Sequence, residues 1–350
     1  MAVEPVVAMD VMGGDGGPKL ALAGASLARL RYPKLRFKLF GDQAAIAAGL
    51  AAHPALAQSA ETIHTDDVVL ATDRPSHALR RGQNSSMGLA IRAVAAGDAH
   101  VAVSAGNTGA LMAMAKLILR TQEGIDRPAL AALLPTGRSD SVMLDLGANV
   151  ECSSQNLVQF AVMGAAFART TLGLSKPRVA LLNVGVEEMK GTEELREAAE
   201  VLKGAELPIR FLGFVEGDSM ILGDTDVIVT DGFSGNVALK TAEGTARLIT
   251  RLLADAFRST FFSRLGAALA RGALTSLKTH VDPNSHNGAV FLGLNGLVVK
   301  SHGGASAEGM ANAIGVAHDL AADGIGKKIA ADLALIGPRL AEPRDPAAAA

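Results

Sequence analysis

Residues able to hold a phosphate group are concentrated in one stretch of the sequence, residues 226–243. This stretch begins with the β-branched run 227–229, which is typical of a buried strand. It continues through Asp231, Gly232, Ser234, Gly235 and Asn236 into a helical pattern. A strand, a glycine-bearing turn and a helix start together leave free backbone N–H groups, which bind phosphate well. We therefore expect a phosphate site here, with Ser234 or Asn236 capping the helix.

The same arrangement recurs after other short hydrophobic runs, at 6–9, 100–103, 142–144, 179–182 and 297–300. We predict that phosphate binds between the turns 106–109 and 232–236. The alternative for any one turn is a tight corner or a helix cap that binds no ligand. The predicted substrate-binding residues are Asp10, Gly13, Gly14, Asp15, Ser104, Gly106, Asn107, Thr108, Gly109, Asp231, Gly232, Ser234, Gly235 and Lys300.

Hydrophobic strands that alternate with helical stretches must position these turns. That alternation predicts an α/β fold, with a largely parallel sheet covered by helices on both faces. In such sheets the loops after the carboxyl ends of the strands share one edge, where ligands bind. We expect the turns to converge there. Residues 1–335 are expected to form a single α/β unit and residues 336–350 a disordered tail.

Composition excludes several classes of protein. A hydrophobic content of 49% and a length of 350 residues predict a globular body with a large core. The net charge of −2 and an aromatic content of 3% disfavour a nucleic-acid partner. A single cysteine, Cys152, precludes an internal disulfide and fits a reducing compartment. We find no leader and no uninterrupted apolar run of about 18 residues, so we expect a cytoplasmic protein that at most lies on a membrane surface.

Five segments resemble the bacterial phosphate acyltransferases. They are residues 9–15, 104–111, 144–150, 230–237 and 294–303, which read MDVMGGD, SAGNTGAL, LDLGANV, TDGFSGNV and LNGLVVKSHG. The resemblance extends over residues 6–325. It implies a three-layer α/β/α sandwich related to the phosphotransacetylases and isocitrate dehydrogenases, usually as a homodimer. It also implies transfer of a fatty acyl group from acyl-[acyl carrier protein] to inorganic phosphate, which gives acyl phosphate for phospholipid synthesis.

The reaction implied by this resemblance requires phosphate to be aligned with a thioester carbonyl and requires no covalent enzyme intermediate. We predict three catalytic residues: Lys190 to neutralise charge, Asn236 to donate to phosphate, and His302 to protonate the leaving thiolate. The alternatives are a solvated lysine, a helix cap and a structural histidine. We interpret Cys152 as a buried apolar residue rather than a nucleophile. No cofactor is implied, and the histidines lack metal-ligand spacing.

A basic and apolar stretch follows the central motif. Arginines and leucines recur between residues 247 and 278, which predicts an amphipathic helical segment protruding over residues 245–280. The predicted contacts to a membrane or carrier protein are Arg258, Phe261, Phe262 and Arg264. The alternative is a helix at a dimer interface.

The expected partners are acyl carrier protein, inorganic phosphate, a second copy of the chain, the inner face of the cell membrane and a downstream glycerol-3-phosphate acyltransferase. Two alternative functions remain open: a phosphotransacetylase that uses acyl-CoA, and a membrane-recruited scaffold without turnover.

Overall fold

The structure, a computed structural model, describes residues 4–282 and 284–341. The strands are β1 (Val6–Asp10), β2 (Arg36–Gly41), β3 (Ala60–His64), β4 (Val101–Ser104), β5 (Ala129–Pro135), β6 (Asp140–Leu144), β7 (Arg178–Leu182), β8 (Arg210–Val215), β9 (Val227–Val229), β10 (Ala289–Leu292) and β11 (Leu297–Lys300).

The helices are α1 (Gly17–Arg31), α2 (Gln43–Ala51), α3 (Pro54–Ala57), α4 (Pro75–Arg81), α5 (Ser86–Ala95), α6 (Thr108–Leu119), α7 (Ser154–Thr171), α8 (Glu193–Lys203), α9 (Gly232–Arg258), α10 (Phe261–Leu269), α11 (Arg271–Val281), α12 (Ala307–Asp323) and α13 (Ile325–Ala341). A 3-10 turn at Gly82–Asn84 separates α4 from α5.

All of these strands form one sheet in the order β3-β2-β1-β4-β11-β10-β5-β6-β9-β7-β8. Seven of the ten strand pairs are parallel, and the three antiparallel pairs are β11 with β10, β10 with β5, and β5 with β6. Because the direction reverses three times, β6, β9 and β7 run opposite to β1, β4 and β11. The expectation that all the strand-end loops share one edge is therefore wrong.

Helices cover both faces of the sheet because the strands are apolar on both sides. Val7 and Met9 of β1 face one core with α1, α7, α8, α12 and α13. Ala8 of the same strand faces a second core with α4, α5, α6 and the first turns of α9. Alternate strand residues point to opposite faces, so each strand contributes to both cores. The predicted three-layer α/β/α sandwich with a mostly parallel sheet is confirmed.

The last described helix crosses the boundary predicted for the tail. A tail was predicted over residues 336–350, and α13 runs from Ile325 to Ala341. Ile329, Leu333 and Ile336 are buried at helical spacing, so this helix packs on the first core up to Ile336. Residues 342–350 lie outside the described part of the chain.

Candidate functional site

Three polar residues meet where β1, β4 and β11 end side by side. The parallel register places Asp10 opposite Ser104 and Ser104 opposite Lys300. Ser104 Oγ donates to Asp10 Oδ2 at 2.7 Å, and Ser86 Oγ, at the start of α5, donates to Asp10 Oδ1 at 2.6 Å. Three residues predicted for substrate binding are thus brought together. Ser86 was missed because no local pattern links it to a residue 76 positions away.

The loops after these strands approach each other closely at glycines. A Cβ at Gly13 would lie 2.6 Å from Asp10 Oδ2 and 2.7 Å from the Gly106 nitrogen. Gly14 has a φ of +91°, which favours glycine. The Asp15 amide donates to the Gly303 carbonyl at 2.9 Å. The predicted glycine turns therefore serve to pack three loops together.

Burial gives the two charged residues of this cluster unusual acidities. The pKa of Lys300 falls to about 8, chiefly through burial, with Lys240 on α9 adding to the effect and Asp10 and Asp15 opposing it. Lys300 Nζ donates to the Ala105 carbonyl at 3.2 Å and to the Ser301 carbonyl. Burial likewise raises the pKa of Asp10, against the hydrogen bonds from its serines.

His302 is exposed, and two hydrogen bonds that involve backbone amides fix its position. Its amide donates to Asn287 Oδ1 at 2.9 Å, and the Gly304 amide donates to its Nδ1 at 3.1 Å. Asn287 is buried and also donates to Ser301 Oγ at 2.8 Å, so it anchors this loop. Because Nδ1 accepts a hydrogen bond, the neutral ring carries its proton on Nε2. His302 is therefore placed as a hydrogen-bond donor through Nε2.

At the start of α6, the first polar side chain is used within the fold, and the next two residues line the cavity. Asn107 caps the helix: its Oδ1 accepts from the Ala110 amide at 3.0 Å, and its Nδ2 donates to the Ala71 and Asp73 carbonyls. Both ends of this side chain are engaged in the fold, and its contact with phosphate stays a prediction. The next residues, Thr108 and Gly109, line the cavity described below.

The start of α9 differs from the predicted cap. Asp231, rather than Ser234 or Asn236, accepts from the Ser234 amide at 2.8 Å. Gly235 packs so closely that a Cβ would overlap the Asp145 carbonyl. Asn236 is exposed, faces the loop at Gly147, and lines the cavity. Its side chain is thus not occupied in capping.

The loop after β6 holds this helix start in place. Asp145 is buried and accepts from the amides of Leu130, Ala148 and Asn149 and from Asn149 Nδ2, at 2.7–3.0 Å. The Asn149 carbonyl in turn accepts from the Gly232 amide at 2.7 Å. Residues 144–150 carried the family resemblance, but no role was predicted for them.

A cavity of about 1290 Å³ lies over β5 and β10, in the gap between α6 on one side and α9 with α11 on the other. One part of its lining is polar: Thr108, Gly109, Asn236, Lys240, Lys300 and His302. The remainder is mainly apolar and includes Leu130, Leu134, Leu239, Ala242, Ala246, Ile249, Leu253, Leu274, Leu277 and Phe291, but Glu243, Thr250, Lys278, His280 and His286 also line it. The turns 106–109 and 232–236 follow strands of opposite direction, yet both contribute to this one cavity.

Lys190 and Cys152 are outside that lining. Lys190 is exposed on the loop after β7, where Asn183 Nδ2 donates to its carbonyl at 3.1 Å. Since β7 and β9 are parallel neighbours, this loop shares a sheet edge with the start of α9. Cys152 is half-buried, and burial raises its pKa to about 12. The thiol is therefore protonated and unreactive at neutral pH.

Sequence comparison with known proteins shows the family. A family model described as fatty acid synthesis protein matches residues 6–328. A phosphate acyltransferase of Rhodospirillum centenum is 56% identical over 94% of this chain and 92% of that relative. Another, from Paramagnetospirillum magneticum, is 47% identical over 99% of both chains. The chain belongs to the phosphate acyltransferase family. It is accordingly an acyltransferase of fatty acid and phospholipid synthesis.

Solved structures resemble this acyltransferase in fold. EutD phosphotransacetylase from Staphylococcus aureus has a TM-score of 0.61 at 20% identity, covering 91% of this chain and 94% of its own. A phosphotransacetylase from Streptococcus pyogenes has a TM-score of 0.64 at 18% identity, with the same coverage. At such identities the likeness supports the phosphotransacetylase-like fold alone.

The end of α9 and the helices α10 and α11 form the most exposed part of the described acyltransferase chain near the cavity. Neither α10 nor α11 contains a buried residue. Phe261 and Phe262 are 75% and 80% exposed, with ring centroids 5.8 Å apart. Arg264 Nε donates to the Arg258 carbonyl at 3.2 Å, which places both arginines beside them. Within the described residues, no helix is long and apolar enough to cross a membrane.

Proposed function

We propose that the protein transfers a fatty acyl group from acyl-[acyl carrier protein] to inorganic phosphate, giving acyl phosphate. The supporting observation is the cavity itself, which joins a cationic, hydrogen-bonding end to a long apolar wall. Phosphate is an anion that needs cations and hydrogen-bond donors, whereas the acyl chain of a fatty acyl thioester is apolar. A site for both substrates must combine the two surfaces.

Phosphate binds at the polar end in this proposal. The Thr108 and Gly109 amides at the start of α6 favour an anion. Lys300 supplies positive charge, and so does Lys240, although its Nζ also pairs with Glu243 Oε2 at 2.9 Å. Asn236 and His302 Nε2 supply neutral donors. Asp10 and Asp15 carry negative charge nearby, and we assign Asp10 the role of orienting the Ser104 and Lys300 strand ends rather than contacting phosphate. Lys190 is outside the cavity lining, but its loop shares a sheet edge with the start of α9. For that reason we retain it as a catalytic candidate.

The chemistry is a direct displacement. An oxygen of HPO4²⁻ attacks the thioester carbonyl carbon, a C–O bond forms, and the C–S bond breaks. The proton of the hydrogen phosphate ends on the thiolate, with His302 retained as the candidate that delivers it, so acyl phosphate dianion and free thiol balance the reactants. The residues at the polar end align phosphate with the carbonyl and stabilise the charge that develops on its oxygen. Cys152, protonated and outside the cavity, takes no part.

The finer biological setting is proposed on the family resemblance and on the exposed basic helices. We propose a cytoplasmic homodimer that rests on the inner face of the cell membrane and passes acyl phosphate to a glycerol-3-phosphate acyltransferase there. Arg258 and Arg264 at the exposed end are suited to an acidic carrier protein or to anionic lipid.

Thiol release tests the proposal. The purified protein, supplied with palmitoyl-[acyl carrier protein], should release carrier thiol only when phosphate is present, and hydroxylamine should trap the product as a hydroxamate. The matched comparison is palmitoyl-CoA at equal concentration. Faster turnover with CoA favours the phosphotransacetylase alternative. No phosphate-dependent release with either thioester leaves the scaffold alternative and overturns the proposal.

A further inference from the structure

A second groove of about 340 Å³ opens between α9, α10 and α11, next to the main cavity. Four residues line both spaces: Thr250, Leu253, Leu274 and Lys278. They form the junction between the cavity and the groove. Leu253 on α9 and Leu274 on α11 are its two large apolar side chains, and both are half-buried.

The distance from the polar end to this junction is comparable to the length of a fatty acyl chain in a membrane. Leu239, Ala242, Ala246, Ile249 and Leu253 line the cavity at helical spacing, so α9 offers one continuous apolar stripe. Lys240 and Leu253 are thirteen residues apart, which is about 20 Å along the helix. A fatty acyl chain in one bilayer leaflet spans about 15 Å, half of the hydrocarbon thickness. Because phosphate and the thioester carbonyl take up the first part of the longer distance, a long acyl chain finishes close to the junction.

The molecule expected along the apolar wall is indicated by the connection of that wall to the polar end. An apolar wall that begins beside two lysines and a helix N-terminus suits a single-chain molecule with a reactive polar head. Lys278 lies at the junction itself, and beyond it Arg258 and Arg264 line the groove along with apolar residues, so positive charge begins at the junction and continues past it. An uncharged methyl end gains nothing by passing these cations. The chain is expected to stop at the leucines.

We infer that Leu253 and Leu274 set the acyl-chain length that the enzyme prefers, by closing the cavity on the methyl end of the chain. This inference rests on the proposed function, because it assigns the apolar wall to the acyl group of the substrate. The occupant is the acyl chain of the thioester and of the acyl phosphate product.

Variants at the junction test this assignment. Leu253→Phe and Leu274→Phe shorten the cavity, and each excluded methylene should lower long-chain activity about fourfold. The ratio of kcat/KM for palmitoyl to octanoyl thioester should fall at least tenfold, since about two methylenes are displaced. Leu253→Ala and Leu274→Ala add no bulk and should raise activity on stearoyl relative to palmitoyl thioester. The matched control is Leu252→Phe, an exposed neighbour outside both linings, which should leave every ratio unchanged.

A second measurement separates this inference from the proposed function. Displacement of a fluorescent long-chain fatty acid by palmitate and by octanoate reports chain preference without turnover. If the wild-type protein transfers no acyl group but the displacement ratio still shifts in the junction variants, the proposed function is wrong and the length assignment stands. Unchanged ratios in well-folded junction variants overturn the assignment. So does an equal loss for both chain lengths together with altered oligomer mass by sedimentation, since the leucines then form an interface between copies.

Discussion

Burial lowers the pKa of Lys300 to about 8. If Lys300 binds phosphate as we propose, the affinity for phosphate should depend on pH. The amine is charged below that pH and loses its proton as the pH rises through it. Phosphate is already a dianion in that range, so the loss of attraction comes from the protein. We expect the KM for phosphate to rise about tenfold as the pH passes 8, which corresponds to losing one charge-assisted hydrogen bond.

Steady-state kinetics with varied phosphate on either side of pH 8 measure this effect. Lys300→Arg is the control, because a guanidinium stays protonated and should abolish the pH dependence if the larger head is accommodated. A KM that rises equally in the wild type and in Lys300→Ala assigns the titration to another group.

Asn236 is the neutral donor that the start of α9 offers to the cavity, since Asp231 provides the cap instead. Asn236→Ala should weaken phosphate binding by about 1.5–3 kcal/mol, the value of a hydrogen bond to a charged group. The KM for phosphate should therefore rise at least tenfold. Val237→Ala is a matched control one residue further on, exposed and outside the cavity lining. An unchanged KM for phosphate in Asn236→Ala would show that this side chain does not contact the anion.

Cys152 provides a test of direct attack. Its thiol is protonated, because burial raises its pKa to about 12, and it does not line the cavity. Cys152→Ala should retain most of the activity, with a cost to stability but not to kcat. The check is mass spectrometry of the protein quenched during turnover. An acyl group recovered on Cys152, or loss of kcat in a variant with normal circular dichroism, would establish a covalent route.

Among the elements, α9 depends on the loop after β6 for its position. Asp145 accepts four hydrogen bonds there, three of them from backbone amides, and the same loop receives the first amide of α9. Asp145→Ala leaves these donors without their acceptor, and each unsatisfied buried donor costs about 1–3 kcal/mol. We expect the free energy of unfolding to fall by about 3 kcal/mol or more.

Urea unfolding measures this loss, and Asp231→Ala offers a comparison at the same joint. The Asp231 cap is more accessible and should cost only about 1 kcal/mol. Equal destabilisation by the two substitutions would mean that the loop after β6 is no more important than an ordinary cap.

At the scale of the whole molecule, the alternation of strands and helices was sufficient to predict the three-layer sandwich. The glycine turns after β1, β4 and β11 were also predictable, because each follows a hydrophobic run directly. The reversal of the sheet was not predicted. Two of the three reversals come from hairpins between consecutive strands, β5 with β6 and β10 with β11, and the third from the pairing of β10 with β5, which lie far apart in the chain. A short apolar run carries no sign of its direction. Ser86, which reaches Asp10 from α5, was missed because its partner is remote in the sequence.

The last prediction concerns how the molecule meets a membrane. Phe261 and Phe262 are exposed at the tip of the α9–α11 segment, with Arg258 and Arg264 beside them. Apolar insertion and attraction to anionic lipid add together at such a tip, and each arginine contributes about 1 kcal/mol near the surface. Binding should therefore be reversible and weakened by salt. The double variant Phe261→Asp with Phe262→Asp should lose binding to vesicles that contain phosphatidylglycerol.

Cosedimentation with these vesicles measures the effect. The control is Leu30→Asp with Leu335→Asp, which makes the same change in charge at two exposed leucines on α1 and α13, across the sheet from α9. That control should bind vesicles almost as well as the wild type, since the added charge is remote from the tip. Both variants should release thiol from soluble acyl carrier substrate at normal rates. If the phenylalanine variant stays on the vesicles, or leaves them only because it no longer folds or self-associates, the tip is not the membrane contact.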